Sequence, residues 1–355
     1  MYLSASCLSL LFCFYATARS AEVSASELLN TTTPSALPVF YDASDIDLVE
    51  ANHATDSYWV ANYIRTTSNE SFYVSAHIMV RNGSATQRAG IMSLDKPLGY
   101  YKQNYQNIGP VRESNGTLEP FNITMPGGKF GMEAIPHKNA ARETFLPMRI
   151  HSHLPEVTFD IDLDMKGPVV LNAGLGSWLW AGGLQNQISL PVTRPRGSLV
   201  VDNRKLTIDS KKSFSWYDRQ WGPTSPERFT WLGLYLNAPN KTESYLSIWN
   251  WEDSVNGNKS FATLQSRAGT NTVLSLTRFE ASDKHVLNST VTGNKYSLEY
   301  KIKLADGTQL RVKSARPNQE FVMENSTVGF YSGYVEVSGD YTGYGAMDIM
   351  PPIKL

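Results

Sequence analysis

A chain of 355 residues with 41% hydrophobic side chains is long enough for one large or two ordinary domains and apolar enough for a sizeable core. Its formal net charge of −1 comes from 32 Lys and Arg against 33 Asp and Glu spread along the chain, which excludes the concentrated basic face of a nucleic-acid binder. Only 18% of residues are charged, whereas 18 Tyr and 8 Trp make aromatic rings the chain's conspicuous resource.

The chain begins with a short apolar run, Cys7 to Tyr15 ("CLSLLFCFY"), followed by "ATARSA", which offers small-residue cleavage sites after Ala18 or Ser20. The run is too short to span a bilayer comfortably, so residues 1–20 read as a secretory signal, with an uncleaved anchor as the alternative. No Lys or Arg precedes it, leaving the α-amino group as its only positive charge. Both cysteines, Cys7 and Cys13, lie inside this segment. The mature chain is therefore expected to lack disulfides, a thiol nucleophile and a Cys-ligated metal. Residues 21–38, rich in Ser, Thr and Pro, read as a loose arm. Asn-x-Ser/Thr sequons occur at Asn30, Asn69, Asn82, Asn115, Asn122, Asn240, Asn258, Asn288 and Asn325. Chance would supply about four, so the excess supports a glycoprotein of the secretory pathway, secreted or lumenal, with no stable membrane insertion after signal cleavage.

Strand signals follow. Residues 71–80 are β-rich, and "PEVTFDIDLD" alternates Val157, Phe159, Ile161 and Leu163 with Thr158, Asp160, Asp162 and Asp164. Runs at 169–172, 187–192, 198–201, 271–280 and 328–337 continue the pattern. "KYSLEYKIKLA" and "TQLRVKSA" flank an Asp306-Gly307 turn, a hairpin signal. Many short strands with Gly, Asn and Pro turns predict an all-β chain of sandwiches or barrels. "PVTRPRG" at 191–197 interrupts the pattern and predicts a boundary between an N-terminal β-domain, 39–195, and a C-terminal one, 196–355.

The candidate chemistry centres on "SFSWYDRQWG", residues 213–222. As a strand it sets Trp216, Asp218 and Gln220 on one face and Tyr217, Arg219 and Trp221 on the other. A carboxylate and a guanidinium among large aromatics are costly unless paired or employed. Asp218 reads either as half of a buried ion pair or as an acid whose pKa burial raises until it can donate a proton, and the residues alone leave these two open. Seven of the eight Trp fall between Trp178 and Trp251. "FTWLGLYLN" separates Phe229, Trp231 and Tyr235 from Leu232, Leu234 and Leu236, and "YLSIWNW" separates Tyr245, Trp249 and Trp251 from Leu246 and Ile248. Such strands suit a barrel wall whose interior holds an apolar ligand, or simply a filled barrel. His151 and His153 share a strand face without an evident third ligand, and "DIDLD" lacks the Gly and Glu of a calcium loop, so no metal is expected. Nucleotide-binding and nucleophile-elbow motifs are absent, so nucleotide cofactors are not expected.

At "WYDRQWG" the sequence resembles the carotenoid 1,2-hydratase (hydroxyneurosporene synthase)/AttH-like superfamily of tandem lipocalin-like proteins, and within it the fungal kievitone-hydratase-like proteins and fungal Diels–Alderases. "DSYWVANYI" (56–64), which contains Trp59, "GSLVVDNRKLTID" from Gly197, and "FTWLGLYL" extend the resemblance over most of 40–350. The resemblance implies two lipocalin/calycin-like β-domains in tandem, a hydrophobic small-molecule substrate and no cofactor. It makes Asp218 the proton donor or acceptor, with Arg219 and Tyr217 as further catalytic candidates. Trp59, Trp216, Trp221, Trp231, Tyr235 and Trp249 would shape the substrate site. Trp216 stands where the carotenoid hydratases have a tyrosine. Expected activities are hetero-Diels–Alder or Diels–Alder closure of a terpenoid or polyketide substrate, assisted by dehydration to a quinone methide, then hydration of a prenyl double bond, then a non-catalytic lipocalin-like carrier.

Overall fold

The computed structural model describes residues 32–34 and 55–351, apart from 111–121, 126, 136–145, 166, 181–182, 224–225, 227, 253–256 and 267–269. The expected signal segment and the sequons at Asn30 and Asn115 lie outside the described residues. Within the expected loose arm, β1 (Thr32–Pro34) is an edge strand rather than loose chain.

The described residues form two large antiparallel sheets, each curled into a nearly closed barrel-like domain, so the all-β, lipocalin-like expectation holds. The N-terminal sheet is built from β2 (Thr55–Arg65), β3 (Ser71–Arg81), β4 (Ser84–Ser93), β5 (Tyr101–Pro110), β6 (Asn122–Thr124), β7 (Phe130–Ala134), β8 (Met148–His153), β9 (Thr158–Asp164), β10 (Val170–Leu171), β11 (Ser177–Trp180), β12 (Gly183–Val201), β13 (Arg204–Thr207) and β14 (Phe214–Gly222). Its order is β5-β4-β3-β2-β14-β12-β9-β8-β7-β6, with β10, β11 and β13 also on β12. The C-terminal sheet is built from β15 (Arg228–Asn237), β16 (Glu243–Glu252), β17 (Lys259–Ser266), β18 (Thr270–Leu274), β19 (Leu276–Ala281), β22 (Glu299–Leu304), β23 (Gln309–Ser314), β24 (Glu320–Val322), β25 (Gly329–Gly339) and β26 (Thr342–Met350). Its order is β1-β18-β17-β16-β15-β26-β25-β23-β22-β19, with β24 on β25, while β20 (Val286–Asn288) and β21 (Lys295–Ser297) pair separately.

The changeover between sheets therefore falls after β14, at 223–227, and not at 191–197. "PVTRPRG" lies inside β12, a 19-residue strand that pairs with β14 along one part and β9 along the other. The pairing shifts register between Leu190 and Thr193. A bulge accommodates the irregularity that the prolines announce, so the strand bends without ending. Gly197 (φ +127°) passes so close to the Asp160 backbone that a Cβ would meet its carbonyl at 2.0 Å, which explains a glycine there.

Period-two alternation sorts the side chains into three cores. One fills the N-terminal barrel with residues such as Tyr58, Val60, Ile78, Ile188, Tyr217 and Trp221. A second fills the C-terminal barrel with Leu232, Leu234, Leu246, Ile248, Val312 and Met347. The third is aromatic and lies where the outer faces of the two sheets meet: Trp59, Tyr63, Trp178, Trp216, Trp231, Tyr235, Trp249 and Trp251. The aromatic and aliphatic faces of "FTWLGLYLN" are thus real, but the aliphatic face lines the barrel interior and the aromatic face lies outside it, against the partner sheet. The leucines pack in the core of the C-terminal barrel, and the cleft that the aromatic face lines lies at the interface.

β14 is buried on both faces. Arg219, fully buried, lies inside the N-terminal barrel, paired with Asp56 and stacked 4.3 Å from the Tyr58 ring and 5.0 Å from the Trp221 ring. Removing one partner of such a pair strands the other charge in the core, at a cost of about 3–5 kcal/mol. Asp56→Ala should lower the unfolding free energy by about that amount in urea titrations, and the double variant Asp56→Ala/Arg219→Met should recover most of it.

Candidate active site

Two cross-strand rows build the site. On the N-terminal sheet Ser189, Asp218, Trp59, His77, Arg88 and Tyr105 are successive register partners across β12, β14, β2, β3, β4 and β5. On the C-terminal sheet Phe261, Trp249, Trp231, Asp348 and Ser332 do the same across β17, β16, β15, β26 and β25. Directly opposed residues share a face, so each row projects together. The rows meet at Trp59 and Trp231, edge to face with ring centroids 4.9 Å apart. They also meet at Arg88, whose guanidinium donates to both Asp348 carboxylate oxygens at 3.1 and 3.2 Å. Gly233 makes the contact possible, since a Cβ there would lie 2.6 Å from the Trp231 indole and 3.2 Å from the Trp216 indole.

A narrow cleft lies between the rows, with a cavity volume of about 40 Å³. It is lined by Asp218, Ser57, His77, Gln185, Gln187, Gln220 and Asp348, with Trp59, Trp180, Phe229, Trp231 and Trp249 as apolar walls. Asp218 is its acid. Burial pushes the carboxyl up to about 7, against hydrogen bonds from Ser189, Trp216 and Gln187, with the Asp348 charge adding a smaller upward push. Trp216 Nε1–H donates to Asp218 Oδ1 at 2.8 Å. Near neutral pH this group is divided between acid and carboxylate, the condition for a proton donor that must also accept.

Across the cleft, Arg88 donates through Nε to His77 Nδ1 at 3.0 Å. Nδ1 is therefore the acceptor and Nε2 carries the hydrogen, which His77 donates to Ser57 Oγ at 2.9 Å. Burial, and next the Arg88 charge, hold the imidazole well below its usual range, so it stays neutral. His77 cannot then deprotonate Ser57, whose hydroxyl hydrogen is left to donate elsewhere. Several buried polar atoms of cleft residues have no hydrogen-bond partner among the described residues: Gln185 Oε1, Gln187 Oε1, Gln220 Nε2 and Trp249 Nε1. Polar atoms in such a position are matched by a ligand or water.

The structure brings Asp218, Trp59, Trp231 and Trp249 of the expected site together. Trp216 touches Asp218 rather than lining the cleft, and Tyr235 sits beyond it, its hydroxyl donating to the Pro191 carbonyl. Tyr217, Arg219 and Trp221 do not join them, because they point into the N-terminal barrel on the opposite face of β14. Sequence reasoning missed Ser57, His77, Arg88, Gln185, Gln187 and Asp348. The available signal was a histidine inside an otherwise apolar strand, "FYVSAHIMV", and a lone aspartate in β26. His151 and His153 lie on β8, where His153 binds Asp160 at 2.9 Å, and no cluster of three His, Cys, Asp or Glu suited to a metal occurs among the described residues.

Comparison with known proteins adds three relatives and one likeness of fold alone. Kievitone hydratase of Fusarium solani subsp. phaseoli is 26% identical over 321 residues, 88% of this chain and 87% of that protein. The crystal structure of kievitone hydratase from Nectria haematococca matches with a TM-score of 0.78 at 29% identity, covering 91% of this chain and 96% of that one. Dehydratase asqC of Emericella nidulans is 27% identical over 316 residues, 86% of each. CghA, solved with Sch210972, shares the fold alone, with a TM-score of 0.50 at 11% identity over 84% of this chain and 89% of that one. Relatives named hydratase and dehydratase over nearly the full length support an enzyme of the hydratase or dehydratase group. Residues 127–350, which include Asp218, the aromatic strands and Asp348, match the AttH-like family model, and the chain belongs to that family.

Proposed function

We propose that this protein is a hydro-lyase that adds water to, or removes it from, an elongated hydrophobic substrate such as a prenylated phenol or terpenoid. The observation that carries this reading is a carboxyl with a pKa of about 7 in an aromatic cleft whose glutamine oxygens lack partners. In the hydration direction Asp218 gives its proton to an alkene carbon. The cation that forms is faced by the indoles of Trp59, Trp231 and Trp249, whose ring quadrupoles favour positive charge. Water hydrogen-bonded to Gln185 and Gln187 Oε1 adds through its oxygen, and the oxonium returns a proton to the Asp218 carboxylate. Elimination is the reverse: Asp218 protonates the departing hydroxyl and its carboxylate takes the hydrogen from the adjacent carbon. Ser57 donates to a second substrate oxygen and fixes its pose.

The cleft alone is too small for such a substrate. Through Met79 it adjoins a cavity of about 420 Å³ lined by Tyr105, Met323, Val328, Phe330 and Met350, within the range of about 300–1,000 Å³ usual for small-molecule sites. The apolar body lies there while the reacting end reaches Asp218. Ring closure, placed first by the sequence, ranks second because the curated relatives are named for moving water. What supports it is the Ser57 donor inside an aromatic cleft, sufficient to hold an electron-poor partner near its diene. A carrier would make no use of the acid.

Asp218→Asn should lower turnover of kievitone or a related prenylated phenol by about 10²–10⁴ with binding retained. The assay follows uptake of ¹⁸O from labelled water by mass spectrometry, and full turnover by the variant rules the acid role out. Hydration needs the protonated form, so wild-type kcat/KM should be level below about pH 7. Above it the rate should fall about tenfold per pH unit as Asp218 ionises. Val328→Trp, in the larger cavity, should raise KM for the full-length substrate and leave kcat for a short prenyl alcohol unchanged. The seven sequon asparagines among the described residues are all exposed, which supports secretion with N-glycans. Protein recovered from a fungal culture medium should lose mass on endoglycosidase treatment.

A further inference from the structure

Asn172 is fully buried and opens a one-turn 3₁₀ segment, Asn172–Gly174, between β10 and β11. Its neighbour Ala173 has φ +57°, a left-handed conformation that alanine adopts only when its surroundings impose it. The imposing contact comes from the other domain: Ala173 N–H donates to Thr263 Oγ1 on β17 at 3.0 Å. The turn is thereby pressed against the C-terminal sheet, and the Asn172 amide bridges the two sheets. Its Oδ1 accepts from Ser247 Oγ on β16 at 2.6 Å, and its Nδ2 donates to Ser189 Oγ on β12 at 3.1 Å. Ser247 Oγ in turn accepts from Trp231 Nε1 at 3.1 Å. Ser189 is the register partner of Asp218 and hydrogen-bonds its carboxyl.

This chain has only one polarity. An indole N–H donates and never accepts, so Ser247 must accept from Trp231 and spend its own hydrogen on Asn172 Oδ1. That orients the amide, placing its NH₂ against Ser189. Ser189 accepts there, and its hydroxyl hydrogen is left for Asp218. Trp216 Nε1–H occupies Asp218 Oδ1, and Gln187, whose Oε1 is unpartnered, donates through its NH₂. Of the carboxylate's roughly four lone-pair positions three are then filled by donors, and a carboxylic hydrogen has one place left.

We propose that Asn172 is a positioning residue of the active site: it carries a one-way hydrogen-bond chain from Trp231 to Asp218 and so fixes where the Asp218 proton sits and how readily it leaves. The proposal rests on Asp218 being the acid, and it extends that reading to a residue that never touches substrate. The charged and titratable groups facing Asp218 are Asp348 on β26, His77 on β3 with Arg88 behind it on β4, and Tyr235 on β15. Arg219 and Asp56 lie beyond the sheet. None of these changes when Asn172 is replaced.

The test follows the Asp218 carboxyl directly, by ¹³C NMR titration of protein labelled at Asp Cγ, with the resonance assigned by its absence from Asp218→Asn. Ser189→Ala deletes the last donor. Asn172→Leu and Asn172→Ala each free the Ser189 hydroxyl to turn away, and neither adds a charge near Asp218. All three should raise the titration midpoint by about one pH unit, a tenfold change in the acid constant, because a donor to the charged form is lost. The fall of kcat/KM at high pH should move by the same amount. A residue that merely fills space would lower Tm and kcat at every pH and leave the midpoint in place. A midpoint unchanged in both Asn172 variants overturns the proposal, whatever Ser189→Ala does. The titration needs no substrate, so a fully active Asp218→Asn would remove the acid reading while leaving the result on the chain standing.

Discussion

Each barrel has an aromatic outer face that is stable only against the other. Trp216, Tyr63 and Trp59 on one side and Trp231, Tyr235 and Trp249 on the other would expose a large continuous apolar patch if the domains separated. Face-to-face packing of the sheets removes it from water, and every element of the candidate site depends on that packing. It excludes solvent from Asp218, which raises the pKa; it brings Asp348 to Arg88; and it lets Ser247 reach Asn172. Residues 260 positions apart, Arg88 and Asp348, form the ion pair that ties the rows together. The proposed chemistry therefore belongs to the interface and to neither barrel alone.

β14 combines a structural ion pair on one face with the proposed acid on the other. Arg219 and Asp218 are adjacent in sequence and point in opposite directions. The arginine is neutralised by Asp56 and sandwiched by rings, a satisfied buried pair. The aspartate has hydrogen bonds but no cation against it among the described residues, and that difference leaves its proton available near neutral pH. Burial of an unpaired carboxyl costs stability, and the aromatic packing around it offsets that cost.

Much of the fold was legible in the chain. The alternation in "PEVTFDIDLD" and "FTWLGLYLN" announced strands with two distinct faces, and β9 and β15 are such strands. The two prolines of "PVTRPRG" signalled an irregularity correctly, but as a bulge within β12, because an antiparallel strand can absorb extra residues and keep its partners. Of the site, Asp218 and its tryptophans were legible because an acid amid aromatics is costly wherever it lies. Arg219, Tyr217 and Trp221 were grouped with it by proximity in sequence, which a period of two overrides. His77, Gln187 and Asp348 gave no local signal, since a lone polar residue in a strand is equally compatible with solvent, a structural hydrogen bond or a site.

The sequence by itself determined which side chains share a face, that the chain is all-β, and that one of its aspartates is set among indoles. These follow from backbone geometry and from residue chemistry within a few positions. Only the tertiary structure decided which face looks into a barrel and which looks across at the other, and hence that the cleft lies between the domains. It also decided that a histidine, an arginine and an asparagine from separate strands and turns converge around the acid. The reason is physical: alternation sets direction relative to the sheet, whereas the partner of each face is chosen by pairing across hundreds of residues, where total burial and hydrogen-bond satisfaction decide.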